Sequence, residues 1–176
     1  MRNRKVDATV NLYETLDEIR QWVGDRKAKS YTRQGCKVSL AKLKSKPANR
    51  VVLDVDVAFS TDKAKTSQCD FILFHIDDEQ NCLIGVPMEL KSGSVNASEA
   101  VAQLQEGARI ADNCTPKGTE INLIPVLIHG RRMHTTQRNK LRTARIKFRG
   151  EEFPINTTRC GKKENLALAL AKSTKR

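Results

Sequence analysis

The sequence predicts a single α/β domain with a mixed central sheet flanked by helices. Two apolar segments, residues 69–76 and 82–91, have the length of buried strands and are separated by a short polar turn. A helical pattern over 97–112 then leads to a further apolar segment at 121–130. A hairpin followed by a helical crossover gives a sheet with both antiparallel and parallel neighbours. The chain of 176 residues is the size of one domain.

The N-terminal part begins with an amphipathic helix over residues 11–23, which Gly24 is expected to end. Its apolar residues recur at helical spacing, namely Leu12, Leu16, Ile19 and Val23. A short strand is expected at the segment CKVSL. Residues 50–59 are rich in β-branched side chains, which predicts a longer strand.

The middle of the chain carries the clearest strand signals. Residues 69–76 are apolar almost throughout, which predicts a central strand that is buried on both faces. The short turn favours antiparallel pairing with 82–91. Pro87 lies within this second strand and lacks a backbone N–H group. It therefore predicts a bulge or an edge position.

The following helix has a start signal in the sequence. Asn96 is expected to cap it, and Glu99 follows three residues later in the pattern of a capping box. A connection of this length predicts that residues 121–130 run parallel to the preceding strand, with a right-handed crossover.

The C-terminal quarter predicts a short helix capped by Thr135 or Thr136, two strands joined at Arg149–Gly150 and a small final helix. Its charge is unusual, because from Arg131 onward there are 14 Lys or Arg against 3 acids, whereas the first 130 residues carry 18 bases and 17 acids. Within a domain spanning 1–176 we therefore distinguish a core of about 10–130 and a basic extension of about 131–176. The asymmetry favours a polyanion-binding surface, with solvated positive surface as the alternative.

Composition also excludes several classes of protein. No run of about eighteen apolar residues occurs, and the N-terminal residues lack the apolar core of a signal peptide, so we expect a cytoplasmic protein without a membrane partner. The five cysteines are an odd number without a CxxC pair, and we interpret them as free thiols. No zinc-finger, RRM or phosphate-loop motif is present.

Charged residues lie at the ends of the two strands of the predicted hairpin. Asp70 opens the first strand, and Glu89 and Lys91 lie near the end of the second. Residues two apart on a strand share a face, so Glu89 and Lys91 point together while Leu90 points into the core. An acid–x–lysine pair is usually a solvated strand face. The ends of buried strands in α/β sheets, however, are where functional sites commonly lie.

Two carboxylates and a lysine at one sheet edge suit metal-assisted phosphodiester hydrolysis. Mg²⁺ prefers oxygen ligands and often takes only one or two carboxylates, with water and phosphate completing its shell. The ion lowers the pKa of bound water and neutralises transition-state charge. A neighbouring lysine can orient or deprotonate the attacking water. The residues by themselves leave both a nuclease site and a solvated strand end open.

The order of these residues resembles the PD-(D/E)XK nuclease superfamily, which has a restriction-endonuclease-like fold. Glu89-Leu90-Lys91 matches the (D/E)XK element. Asp70 matches the aspartate of the PD element, with Cys69 in place of the proline.

The resemblance extends over about residues 50–130. Gln103 matches the helical glutamine of the QxxxY-type variants, although Gly107 stands where the tyrosine would be. The first helix of this superfamily often contributes an acid to the site, which makes Glu14 or Glu18 a candidate metal ligand.

The resemblance implies a role for each matching residue. Asp70, Glu89 and the Leu90 carbonyl would hold Mg²⁺ or Mn²⁺. Lys91 would position or activate the attacking water, and Gln103 would place the phosphate or the lysine. The resemblance therefore implies that the chain is a metal-dependent nuclease, with DNA favoured over RNA as the expected substrate.

The basic extension supplies candidate contacts for the nucleic acid. Such cations neutralise phosphates without reading sequence. The candidates are Arg131, Arg132, Arg138, Lys140 and Arg142. The segment that carries these cations lacks exposed aromatics for base stacking. We expect cleavage with little intrinsic sequence reading, or targeting supplied by a homodimer or a partner protein. The alternatives are a catalytically inactive nucleic-acid-binding subunit of a larger complex, an RNA-directed nuclease, and a small basic subunit that docks an acidic partner or ribosomal RNA.

Overall fold

The computed structural model describes residues 11–60 and 67–173, in which five α-helices accompany ten strands. The helices are α1 (Leu12–Val23), α2 (Val55–Ala58), α3 (Ala97–Cys114), α4 (Thr135–Thr143) and α5 (Asn165–Ala171). The strands are β1 (Thr32–Arg33), β2 (Cys36–Lys37), β3 (Arg50–Asp54), β4 (Phe71–Asp77), β5 (Cys82–Lys91), β6 (Ile121–Leu123), β7 (Val126–His129), β8 (Arg145–Phe148), β9 (Glu151–Pro154) and β10 (Asn156–Arg159). None of the described helices is long and apolar enough to cross a membrane.

The main sheet is mixed, which confirms the predicted α/β class. Its strand order is β10-β7-β5-β4-β3, and β6 pairs with the first half of β5. The predicted hairpin is confirmed, because β4 and β5 pair antiparallel from Phe71↔Met88 to Asp77↔Cys82. The predicted parallel pairing after the helix is confirmed as well, since β6 and β7 both run parallel to β5.

Both faces of this sheet are covered, so β4 and β5 are almost entirely buried, as expected for central strands. Alternate residues point to opposite faces. Ile72 and Phe74 pack in the core beneath α1 and α3, whereas Phe71 and Leu73 pack in the core that includes Leu166 of α5. The basic extension is part of this fold, because it contributes β10 to the sheet and side chains to both cores.

The helix ends largely follow the signals in the sequence. α1 ends at Val23, and Gly24 has a φ of 49°, as a C-terminal stop requires. The side chain of Asn96 accepts the Glu99 N–H at 3.3 Å and caps α3 as predicted. The cap predicted for α4 is wrong, since His134 accepts the N–H of Thr136 instead.

The strand predicted over residues 50–59 is wrong in its second half, because β3 ends at Asp54 and α2 follows. The Asp54 carboxylate accepts the N–H of Val57, which caps a short helix. The N–H of Val55 donates to the Asp70 carbonyl at 3.1 Å and closes the pairing with the next strand. The β-branched residues thus favoured a strand locally, but the cap and the neighbouring strand end prevented it.

The bulge or edge position predicted from Pro87 is also wrong, because β5 is paired on both sides. The Gly85 carbonyl accepts the Ile124 N–H, and the Lys91 carbonyl accepts the Gly130 N–H, so both carbonyls face the side of the parallel strands. The nitrogen of Pro87 points to the same side, where Ile124 and Pro125 separate β6 from β7. The segment 121–130 is therefore two strands, and the missing N–H falls at the break between them.

The interpretation of all five cysteines as free thiols is wrong for two of them. Cys36 and Cys160 form a disulfide, with Cα atoms 5.2 Å apart and 124 residues between them in sequence. The chain returns here because the Gly161 N–H donates to the Lys37 carbonyl at 3.2 Å. Such a long-range contact leaves no local spacing in the sequence. Cys69, Cys82 and Cys114 are free.

Candidate active site

The ends of β4 and β5 bring the two predicted carboxylates together. Asp70 immediately precedes β4, and its N–H donates to the Met88 carbonyl at 3.0 Å. Its carboxylate Oδ2 accepts the Leu90 N–H at 2.7 Å, between Glu89 and Lys91. The antiparallel register that the apolar pattern favours is therefore what places these residues at one corner of the sheet.

Asp70 is a largely buried acid. Burial raises its pKa to about 6, while the Leu90 N–H group and the Arg33 charge oppose that rise and the charge of Asp56 adds to it. Arg33 Nε lies 3.6 Å from Asp70 Oδ1. The carboxyl group therefore ionises near neutral pH, where a nearby cation can favour its charged form.

Glu89 is the most buried charged group of the corner, with only 3% of its surface exposed. Its Oε1 lies 3.0 Å from Lys91 Nζ, whereas its Oε2 has no hydrogen-bond partner among the described residues. Burial and the charge of Asp70 raise its pKa to about 8, against the opposing effect of Lys91. A buried carboxylate oxygen without a partner is costly unless another group binds it.

Lys91 is held between two acids. Its Nζ lies 3.0 Å from Glu89 Oε1 and 2.9 Å from Oε1 of Glu99, which is in the first turn of α3. Partial burial lowers the pKa of Lys91, but the hydrogen bonds and charges of Glu99 and Glu89 outweigh burial and raise the pKa overall. The lysine is therefore an ammonium ion in this arrangement. It is suited to orienting water and neutralising phosphate charge rather than to taking a proton.

Leu90 has its side chain in the core on the opposite face of the sheet. Its backbone is at the corner, because its N–H group points to Asp70. The N–H and C=O groups of one strand residue point to the same side, so the Leu90 carbonyl also faces the side on which Asp70 lies.

Gln103 lies on α3 one turn after Glu99 and one turn before Gly107, on the same face of the helix. A Cβ atom at Gly107 would lie 2.6 Å from Cys69 Sγ and 2.7 Å from Pro87 Cβ, so the helix packs too closely on the sheet for any side chain there. This contact is the physical reason that no tyrosine follows Gln103. The Oε1 atom of Gln103 is buried and has no hydrogen-bond partner among the described residues.

Neither Glu14 nor Glu18 of α1 contacts this corner among the described residues. The hydroxyl of Tyr13, the neighbour of Glu14, donates to Asp78 at 2.7 Å, in the turn at the other end of β4. Glu14 and Glu18 are both exposed and have no hydrogen bond or ion pair with another described residue. The geometry offers no role in the site to either one.

Four of the five predicted nucleic-acid contacts lie near this corner, and the fifth, Arg142, does not. Arg131 and Arg132 are exposed and begin one residue after Gly130, whose N–H donates to the Lys91 carbonyl at 2.8 Å. Arg138 and Lys140 are exposed on α4, whose first turn lies beside the start of α3. One contact between these two helices is a hydrogen bond in which the Gln137 side chain accepts the Ala97 N–H at 2.8 Å.

Arg142 lies elsewhere. It lines a cavity of about 760 Å³ together with His75 and Asp77, which are at the other end of β4. The structure therefore does not bring Arg142 to the corner with Asp70 and Glu89.

Four further charged residues belong to the corner and were not among the predicted site residues. Arg33 contacts Asp54, Asp56 and Asp70, and Glu99 contacts Lys91. The i, i+2 spacing of two aspartates at the end of an apolar strand was a readable signal. No local pattern marks Arg33, because only the tertiary fold brings β1 to the start of β4.

Among the described residues the corner has more acid than base, with five carboxylates against the two cations Arg33 and Lys91. Residues 11–60 and 67–173 hold no group of three or more His, Cys, Asp or Glu side chains arranged to bind a metal. A cation here would therefore have Asp70, Glu89 and the Leu90 carbonyl as protein ligands. This set suits Mg²⁺, which commonly keeps several waters. The unpartnered oxygen of Glu89 fits such an ion.

No protein-family model, no curated protein and no solved structure matches this chain.

Proposed function

We propose that the protein is a metal-dependent nuclease with a restriction-endonuclease-like fold. The observation that carries the proposal is the buried Glu89, whose Oε2 has no partner in the described part of the chain and lies beside a second acid, Asp70. The order of an antiparallel hairpin, a helix and a parallel strand supports the proposed fold. The PD-(D/E)XK resemblance of Asp70 and Glu89-Leu90-Lys91 supports the activity.

The chain's own residues have separate tasks in this proposal. Asp70, Glu89 and the Leu90 carbonyl hold the cation. Mg²⁺ or Mn²⁺ bound there would lower the pKa of water and neutralise charge in the transition state. Lys91, kept protonated by Glu89 and Glu99, orients the attacking water and offsets phosphate charge. Gln103 can donate its amide N–H groups to the phosphate.

The nucleic acid would follow the exposed cations beside this corner. Arg131 and Arg132 adjoin Lys91 through Gly130, and Arg138 and Lys140 lie on the neighbouring α4. Tyr13 is 52% exposed, but it lies at the far end of β4. Phosphate contacts without stacking favour cleavage with little sequence reading. DNA is favoured over RNA, and a homodimer or a partner protein would supply targeting.

A cleavage assay with a matched lysine control tests this function. Purified protein is incubated with labelled DNA and with labelled RNA, in Mg²⁺, in Mn²⁺ and in EDTA. Cleavage is expected only with metal, and Lys91→Ala should reduce it by about a hundredfold or more. Lys117→Ala, an exposed cation outside the corner, should cleave like the wild type. Equal activity of wild type and Lys91→Ala, or no cleavage of either substrate, would contradict the proposal.

A second candidate function is a catalytically inactive nucleic-acid-binding subunit. The observation that favours it is that both candidate metal-binding acids already have a cationic partner, since Arg33 pairs with Asp70 and Lys91 pairs with Glu89. This function predicts salt-sensitive DNA or RNA binding that EDTA does not change, and that Asp70→Asn leaves intact. Metal-dependent binding or cleavage that Asp70→Asn removes would contradict it.

A further inference from the structure

A cavity of about 760 Å³ lies at the other end of β4 from the candidate nuclease site. His75 and Asp77 line it, and Asp77 is separated from Asp70 by about 23 Å of extended strand. Its other walls come from α5, from the loop between β2 and β3, and from the segment that joins β9 to β10. Cavities of this size commonly hold small molecules. We call it the α5 cavity.

Much of the wall of the α5 cavity is apolar. Ile84 of β5 and Leu123 of β6 line it and are buried. Ile155, between β9 and β10, and Leu170 of α5 complete this apolar part of the wall. Such a wall favours a ligand with an apolar body, because binding removes the surface of that body from water.

The charged residues of the lining are mostly basic. In the part of the chain that the structure describes, the acid of the lining is Asp77, and its Oδ1 already accepts the N–H groups of Glu79 and Gln80. The cations of the lining are Lys42, Lys44, Arg142 and Lys172. This excess of positive charge favours an anionic ligand.

Arg142 and Lys172 are the cations of the lining with the fewest competing partners. The other two lysines pair with glutamates, whereas Arg142 and Lys172 have no ion pair with another described residue. Lys172 Nζ donates to the Thr157 carbonyl at 2.8 Å, which leaves two of its three N–H groups for a ligand. An anion in the cavity can therefore receive hydrogen bonds from both side chains.

His75 is a buried polar residue in the lining of the α5 cavity. It is only 5% exposed, and neither of its ring nitrogens has a hydrogen-bond partner among the described residues. Burial lowers the pKa of His75, against the opposing charge of Asp77, so the ring is uncharged at neutral pH. An uncharged imidazole offers one donor and one acceptor. Buried polar groups are usually paired, and a ligand in the cavity can supply the partner.

We propose that the α5 cavity binds a small organic anion with an apolar body. The anionic group, a carboxylate or a phosphate monoester, contacts Arg142 and Lys172. The body lies against the apolar wall, and a polar atom on it forms a hydrogen bond with His75. This site is independent of the proposed nuclease activity, because none of its lining residues belongs to the corner of Asp70 and Glu89.

Binding of the fluorescent dye anilinonaphthalene sulfonate, an anion with an aromatic body, tests the site. The folded wild type should bind one dye molecule per chain. Ala167→Trp fills the cavity from α5 and should weaken binding at least tenfold. Leu168→Trp is the matched control, because it places the same side chain on the face of α5 where Leu168 is 50% exposed. Equal affinities of these two variants, or no binding by the wild type, would overturn the inference.

Two further variants test the polar contacts and decide the case if circular dichroism shows that Ala167→Trp does not fold. Arg142→Gln should weaken dye binding about tenfold. Lys117→Gln removes an exposed cation outside the lining and should bind like the wild type. Equal affinities of Arg142→Gln and Lys117→Gln would overturn the anion contact.

Heteronuclear NMR observes the histidine directly. The ring resonances of His75 are assigned by their loss in His75→Phe, and saturating dye should shift them. The resonances of the exposed His134, which is outside the lining, should not move. Unshifted resonances of His75 in the presence of bound dye would overturn its contact with the ligand.

Competition with the dye identifies the anionic group. Octanoate carries a carboxylate on an apolar chain, and adenosine monophosphate carries a phosphate monoester. Octanol and adenosine are their uncharged counterparts. At least one anion should displace the dye about tenfold more effectively than its counterpart, and the more effective anion identifies the class. Equal displacement by each anion and its counterpart would overturn the inference that the ligand is an anion.

Discussion

Replacing Glu89 by glutamine is expected to stabilise the metal-free protein at neutral and alkaline pH. The wild-type carboxyl is buried, and one of its oxygens has no partner within residues 11–60 and 67–173, so ionising it in the folded state is unfavourable. Glutamine keeps the shape and can still accept a hydrogen bond from Lys91, but it carries no charge to bury. The gain should be absent at acid pH, where the wild-type carboxyl is protonated in both states.

The size of the effect follows from the shift in pKa. The pKa of Glu89 rises from an ordinary 4.5 to about 8, so between these values the folded state holds a proton that the unfolded state has released. Stability therefore falls as pH rises through this window. At about pH 7.5 the difference corresponds to at most about 4 kcal/mol. The pKa of about 8 already includes the attraction of Lys91, and relaxation around the buried group reduces the effect, which leaves a net gain of about 2 kcal/mol.

Urea unfolding monitored by circular dichroism measures this gain, in EDTA and at a series of pH values. A gain of this size corresponds to a rise in Tm of about 4 to 8 °C for a chain of this length. Adding Mg²⁺ should raise the Tm of the wild type and leave that of Glu89→Gln unchanged, because the variant lacks one of the two carboxylates.

Glu99→Gln is the matched control, because Glu99 contacts the same lysine but its side chain is 52% exposed. This variant should show no gain at any pH. A Glu89→Gln protein that is less stable than the wild type across the whole pH range would refute the reasoning. It would indicate that Glu89 stabilises the metal-free fold through its contact with Lys91, and that it is not a destabilising buried acid whose free oxygen binds a cation.

Three further predictions concern packing, the nucleic-acid contacts and the cysteines. Gly107→Ala should lower the free energy of unfolding by about 1 to 3 kcal/mol, because the new methyl group has no room against the sheet. Wild-type stability of this variant in urea unfolding would contradict that packing. Arg131→Ala should weaken DNA binding and reduce its salt dependence, whereas Arg142→Ala, at the other end of the sheet, should leave both unchanged. Equal effects of the two substitutions in anisotropy titrations would contradict the placing of Arg131, but not Arg142, beside the corner. A thiol titration of the unfolded, non-reduced protein should find three free thiols. Reducing the Cys36–Cys160 bond should lower the free energy of unfolding by about 2 to 5 kcal/mol. Five free thiols would show that the disulfide is not formed, which is the state that a reducing cytoplasm favours.

Much of the sheet could be predicted because its strands are local patterns. The runs that became β4 and β5 are apolar throughout and are joined by a short turn, so their pairing followed from length and composition. The helix cap at Asn96 was readable for the same reason, since its partner is the N–H group of Glu99 three residues away. The candidate site could be predicted for the same reason, because Asp70, Glu89 and Lys91 lie at the ends of these strands.

The errors lie where a distant contact decided the outcome. Pro87 is accommodated in a central strand only because β6 and β7 happen to break opposite it. Asp54 ends a β-branched segment because its carboxylate caps α2 and pairs with Arg33. The strand break opposite Pro87 and the Arg33 partner of Asp54 come from other parts of the chain, so a window of neighbouring residues shows neither of them. The cap that Asp54 makes on Val57 is local.

The sequence by itself determined the α/β class, the hairpin, the helical crossover and the chemical identity of the acids and the lysine at the strand ends. Only the tertiary structure decided which groups share the corner, how deeply Glu89 is buried and that Arg33 contacts three aspartates. The physical reason is the range of the interactions. Periodicity and turns act over a few residues, whereas burial and charge pairing depend on segments that meet only when the chain folds.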